Sequence, residues 1–179
     1  VVLRLHGPNC SRPRRRRGVQ NPPMKPPARL QSLIDEGLID SVVRLPDLVE
    51  AVAAGGMPAV AMTDQTNLFG LVKFYREALN AGIKPVIGAE VRVTGHEEQA
   101  DAARLVLLCR NAAGYRSLSR LLSRAWLEGQ DNGVPRVHVS WFDDGAASGL
   151  IALSGGPDGV LGRNLLSGPP ERAERMAAA

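Results

Sequence analysis

Residues 58–93 read PAVAMTDQTNLFGLVKFYREALNAGIKPVIGAEVRV, and the succession of patterns in this stretch decides the fold class. Pro58 to Thr63 is a short apolar run of strand length, expected to be buried. Leu68, Leu71, Val72, Tyr75 and Leu79 then recur at helical spacing, which predicts a helix with these residues as its apolar stripe. Gly82 falls where a left-handed cap would end that helix. A second strand is expected over about Pro85 to Val93.

The same alternation extends outward on both sides. Leu45, Leu48, Val49 and Val52 have helical spacing. Pro46 suits the first turn, and Asp47 and Glu50 suit the positive end of the dipole. Gly55 and Gly56 end that helix. On the other side, 94–102 (TGHEEQADA) is a polar loop and Arg104 to Cys109 a third strand. Asn111 is placed to cap a helix carrying Tyr115, Leu118, Leu121, Leu122, Ala125 and Trp126. Residues 128–136 are turn-rich, Leu150 to Ser154 is a further strand, and Gly155-Gly156 leads to a helix near 160–166. A last helical stretch is expected from Pro170. Strands alternating with helices predict a parallel α/β arrangement of about four strands. A closed barrel of this kind needs about 250 residues. The expectation is therefore an incomplete (βα) barrel, the 179-residue chain being a piece of a longer one.

Composition narrows the function classes. Apolar residues make up 44% and aromatics only 4%, so the core rests on aliphatic side chains. No apolar run approaches the roughly 18 residues of a membrane span, and no signal peptide is legible, so a cytoplasmic protein is expected. Cys10 and Cys109 form neither a disulfide framework nor a metal spacing; Cys109 reads as a small buried hydrophobe. The net charge of +4 divides unevenly. Residues 1–31 hold eight Lys or Arg and no acid; the remainder holds 14 bases and all 18 acids, a net of −4. Nucleic-acid binding inferred from the pI of 9.6 would rest on this tail alone. The Arg- and Pro-rich stretch within 1–33 is expected to be a disordered tail, and 34–179 the folded part.

Four pieces carry a resemblance: LIDSVVRLPDLVEAV (38–52), GMPAVAMTDQTNLFGLVKFYREALNAGIKPVIGAEV (56–91), LVLLCRNAAGYRSLSRLLSRA (105–125) and GLIALSGGPDGVLGRNLLSG (149–168). In this order they resemble the PHP (polymerase and histidinol phosphatase) domain at the N-terminus of bacterial DNA polymerase III alpha subunits, the replicative C-family. The resemblance implies a PHP-type distorted (βα) barrel, here partial over 34–179 and ending before closure. Metal-binding members use histidine pairs, an Asp-His pair after a strand, a Glu after the next strand and later histidines. Such ligands hold divalent ions that clamp a phosphate ester and activate water.

This chain departs from that pattern. Gln65 stands in the Asp-His pair where His is needed, and Arg104 stands where the family can have His. His6 has Val2 where a partner histidine would be. Asp40, Asp64 and Glu90 remain as a relic of the site. Gln is a poor metal donor and Arg repels a cation. For Asp64 two readings stay open: a ligand remnant, or a turn acid capping the following helix. Glu90, costly if buried alone, is expected to pair with Arg104 or Arg92. Arg116, Arg120 and Arg124 read as a solvated stripe, Ser154-Gly155-Gly156 as a tight turn, and His96 and His138 as surface residues.

The resemblance thus implies a domain without catalytic residues, metal or cofactor of its own, acting as a scaffold that docks the proofreading exonuclease (epsilon) subunit and other replicase subunits. Polymerase chemistry with Mg2+, and contact with DNA, would belong to domains of the longer protein outside this chain; no membrane is involved. The alternative is a stand-alone metal-dependent PHP phosphoesterase.

Overall fold

The computed structural model describes residues 43–95, 102–143, 145, 147–168, 171 and 174. The basic tail of 1–33, His6, Cys10, Asp40, His96 and most of the expected stretch from Pro170 lie outside them.

The elements in chain order are α1 (Leu45–Ala54), β1 (Ala59–Gln65), α2 (Leu71–Asn80), β2 (Lys84–Thr94), β3 (Ala103–Cys109) and α3 (Ala112–Glu128). The short strands β4 (Gln130–Asp131), β5 (Val134–Pro135) and β6 (Val137–His138), then β7 (Leu150–Leu153) and α4 (Val160–Ser167), complete the described part. Local chemistry accounts for the boundaries. Pro46 and Asp47 open α1. Gly82 takes φ +70° just past α2, a value that costs glycine little. The Asn111 side chain accepts the Gly114 N–H at 3.0 Å and starts α3.

The sheet runs β1-β2-β3-β7, with β6 also paired to β2. It is mixed, which corrects the expectation of a parallel arrangement. β1 and β6 run parallel to β2, but β3 is antiparallel to both β2 and β7. The reason lies in the connections. Only residues 95–102 separate β2 from β3, too few for a crossover back to the same end, so the pair forms a hairpin. β1 pairs with β2 over Lys84–Glu90 and β6 continues at Val93 and Thr94, along the edge opposite β3.

Pairing places Val60, Met62, Asp64, Ala89, Val91, Leu105 and Leu107 on one face of the sheet. Two apolar clusters build on that face. Leu118, Leu121, Leu122 and Ala125 of α3 pack with Ala89, Val91, Val93, Leu107 and Val137. Val49 and Val52 of α1 and Phe74 and Ala78 of α2 pack with Val60, Met62 and Ile83. The apolar stripe expected for α2 is corrected here. Phe74 and Ala78 face the core, whereas Val72, Tyr75 and Leu79 are exposed. The helix is apolar over a wider arc than one sheet face can cover. Gln65, Gly88, Glu90, Arg92, Arg104, Val106 and Leu108 project to the opposite face.

Candidate functional site

The C-terminal end of β1, the middle of β2 and the start of β3 converge on that opposite face. Gln65 is the register partner of Glu90, and Glu90 is the partner of Val106, two residues from Arg104. The Glu90 carboxylate is buried, and Arg104 Nη1 lies 3.4 Å from its Oε1. The same guanidinium nitrogen lies 3.8 Å from Oδ2 of Asp158, in the short turn Gly156–Asp158 after β7. Of the two partners weighed for Glu90, the structure brings up Arg104. A buried carboxylate with a fixed cation beside it avoids the cost of an isolated charge.

Sequence reading missed Asp158. Its signal was the Pro157-Asp158-Gly159 turn directly after a strand and a glycine pair. Gly155 brings that turn in, with φ +75°; a Cβ there would lie 2.3 Å from the Arg104 carbonyl oxygen. The Ser154-Gly155-Gly156 segment is thus a tight turn that carries an acid to the arginine.

Asp64 does not join this group. It projects to the helix-covered face, half buried, toward the start of α2. Burial pushes its carboxyl above the ordinary value of 3.8, and the Gly70 backbone N–H draws it partly back. A side chain at Gly70 would meet both Met62 and Asp64 Oδ2, at 3.2 and 3.3 Å. Asp64 thus lies at the α2 entry, where no side chain caps the helix.

Between them Thr66 makes the turn. It is buried with φ +48°, a strained value for a β-branched residue. Three contacts hold it there. Its N–H donates to the Glu90 carbonyl at 2.8 Å, its hydroxyl reaches the same oxygen at 3.5 Å, and its own carbonyl accepts Trp126 Nε1–H at 2.8 Å. Asn67 then closes an Asx turn by accepting the Phe69 N–H at 3.0 Å and donating to the Gln65 carbonyl at 2.9 Å. Trp126, expected on the apolar face of α3, therefore serves as an anchor for the β1–α2 loop.

Elsewhere, Arg124 is more than part of a solvated stripe. It pairs with Glu128 at 2.8 Å and stacks over Trp141 at 4.2 Å. His138 Nδ1 contacts Ser140 at 2.8 Å and caps the turn that follows. Cys109 is partly buried, and burial pushes its thiol upward.

On this face, the donors that the described residues supply do not fit a divalent metal. Among the described residues, no three His, Cys, Asp or Glu side chains come together to hold one. The two carboxylates that do converge share an arginine. A cation entering between them would face the guanidinium charge, and Gln65 offers only an amide. No helix among the described residues is long and apolar enough to cross a membrane.

A family model for the PHP domain matches residues 36–179. The DNA polymerase III subunit alpha of Pseudomonas aeruginosa is 49% identical over 139 residues, which is 78% of this chain and 12% of that protein. The protein of the same name from Vibrio cholerae is 45% identical over 141 residues, 79% of this chain and 12% of that one. The chain thus spans about an eighth of the length of these relatives, in their N-terminal region. A solved amidohydrolase from Chromobacterium violaceum is 23% identical, with a TM-score of 0.37 over 46% of this chain and 28% of that one, a likeness too distant to bear on the fold.

Proposed function

From the premise that the chain belongs to the PHP domain family, we propose that it is a non-catalytic scaffold domain of the replicative DNA polymerase type. The carrying observation is the Glu90–Arg104–Asp158 arrangement on the face where Gln65 also projects. A positive side chain held between two carboxylates does structurally what a metal ion would do electrostatically, without supplying a Lewis acid or an activated water. The longer relatives are named DNA polymerase III subunit alpha. On this proposal the parent activity is DNA-directed nucleotidyl transfer using Mg2+ outside the present residues, in the cytoplasm, on DNA. This domain's part is to dock the proofreading exonuclease subunit and other replicase subunits.

Calorimetric titration with zinc and with manganese tests the reading. No binding is expected in the low micromolar range; binding there by the folded chain would refute the loss of the metal site. A chromogenic phosphate ester assayed across several divalent metals tests the alternative phosphoesterase, and turnover above a Glu90→Gln control would favour it.

A further inference from the structure

The turn that follows β1 is held under tension from another element. Thr66 is β-branched, buried and at φ +48°, a conformation disfavoured by an equilibrium factor of about ten or more. Two of its three contacts belong to β2. Its N–H bond to the Glu90 carbonyl extends the β1–β2 ladder by one residue, and its hydroxyl, 3.5 Å from the same oxygen, is at the limit of a hydrogen bond. The ladder bond fixes the peptide before Thr66 and leaves the one after it free to turn. That second peptide is set from outside the sheet. Trp126 Nε1–H, on α3 and 60 residues away, donates to the Thr66 carbonyl at 2.8 Å. One hydrogen bond shifts an equilibrium by about two- to tenfold. The strain it opposes is of the same order, so the closed turn stands on a narrow margin.

The segment this turn carries is short and fully tied to it. Asn67 donates to the Gln65 carbonyl and accepts the Phe69 N–H, so Gln65, Asn67 and Phe69 move with Thr66. Phe69 is 87% exposed, so no packing of its own ring holds the far end of the segment in place. Trp126 is 42% exposed, so the holding bond lies within reach of solvent. We propose that Trp126 and Thr66 form a conformational latch. With the indole N–H in place, the β1–α2 turn is kept in the left-handed region. When that bond breaks, Thr66 relaxes to an ordinary backbone conformation and residues 66–69 swing with it. The turn also hangs on the Glu90 carbonyl, so the latch couples the C-terminal half of α3 to the strand end beside the Glu90–Arg104 pair.

Amide hydrogen exchange on the full 179-residue chain, read residue by residue by NMR, tests the latch. Trp126→Phe keeps an aromatic ring and removes the donor. Exchange of the Thr66 and Phe69 N–H groups is expected to quicken about tenfold. Exchange at Leu107 and Leu121, in the core, should stay unchanged, and the Thr66 backbone chemical shifts should leave the left-handed range. Trp126→Phe/Thr66→Gly then separates a latch from plain packing. Glycine takes a positive φ at little cost, so protection of the Phe69 N–H should return to within about threefold of the unaltered chain. Lost packing would not be repaired in this way, since glycine adds no contact. If Trp126→Phe quickens exchange in the core as well, Trp126→3-benzothienylalanine puts sulfur in place of the N–H within a ring of the same shape, and the same outcomes are read from it. Unchanged exchange at both Thr66 and Phe69 once the N–H is removed overturns the latch. So does a failure of Thr66→Gly to restore protection, since no strain would then have been held.

Discussion

Replacing Arg104 by Met isolates the interaction on which the functional reading turns. The Glu90 side chain is 7% exposed and that of Arg104 26%, with 3.4 Å between the charged atoms. At that distance, with an effective dielectric constant of about 20, the gross attraction is about 5 kcal/mol. Breaking a fully buried pair costs roughly 3–5 kcal/mol, chiefly because one charge is left behind. Arg104 is a quarter exposed, so water replaces part of what is lost. The expected cost of Arg104→Met is then about 2–3 kcal/mol in urea unfolding at pH 7. Asp158 contributes little to this, since its side chain is 47% exposed and 3.8 Å away. The double variant Glu90→Gln/Arg104→Met should return to within about 1 kcal/mol of the unaltered protein, because no charge is then stranded. Added salt should alter the single-variant loss only slightly, as burial limits screening. A loss for Arg104→Met that is as large in the Glu90→Gln background as in the unaltered one would refute the argument. The arginine would then act through packing alone.

Two further outcomes follow from the geometry. Gly114 sits within α3, where alanine usually gains about 1 kcal/mol; its Cβ would fall 1.9 Å from the Gly149 carbonyl oxygen. The clash outweighs the propensity, so Gly114→Ala should lose about 2 kcal/mol and lower Tm by about 4–8 °C in a thermal scan; an unchanged or raised Tm would count against the close packing of α3 on residue 149. Asp64 has a folded pKa raised above its ordinary 3.8, so its contribution favours the fold fully below that pH and is lost as pH rises through the folded value. Asp64→Asn should therefore raise Tm relative to the unaltered chain at pH 7, with the gain vanishing below about pH 4. A gain that persists at acid pH, or a loss at pH 7, would contradict the burial of this carboxyl.

The contrast between sequence and structure is plainest in the β1–α2–β2 unit. Elements and their ends were legible there and in the flanking α1 and α3, because periodicity, Gly82 after α2, Pro46 in α1 and Asn111 before α3 act through local backbone chemistry. The family was legible for a related reason, since four ordered pieces preserve a pattern of side chains along the chain. Strand direction after β2 was missed, although the polar loop expected over 94–102 is too short for the crossover that a parallel neighbour needs. The sidedness of α2 was missed too. Its apolar arc is broader than one face, and only the position of β1 and α1 determines that Phe74 is covered and Tyr75 is not.

For the candidate site, the sequence alone determined that Gln65 follows Asp64 at the end of β1 and that Arg104 lies at the start of β3, with no histidine at either place, which is a matter of residue identity. It also determined that Glu90 would need a partner if buried, which follows from the cost of an unpaired charge. Only the tertiary structure decided which partner. Pairing of β2 with β3 sets Arg104 diagonally across from Glu90, and the turn after β7 adds Asp158 from 54 residues further on. It also separated Asp64 from Gln65, adjacent in the chain yet on opposite faces of the sheet. The physical reason is the two-residue period of a strand: neighbours along the chain diverge, and the groups that meet are those that hydrogen-bonded register brings side by side.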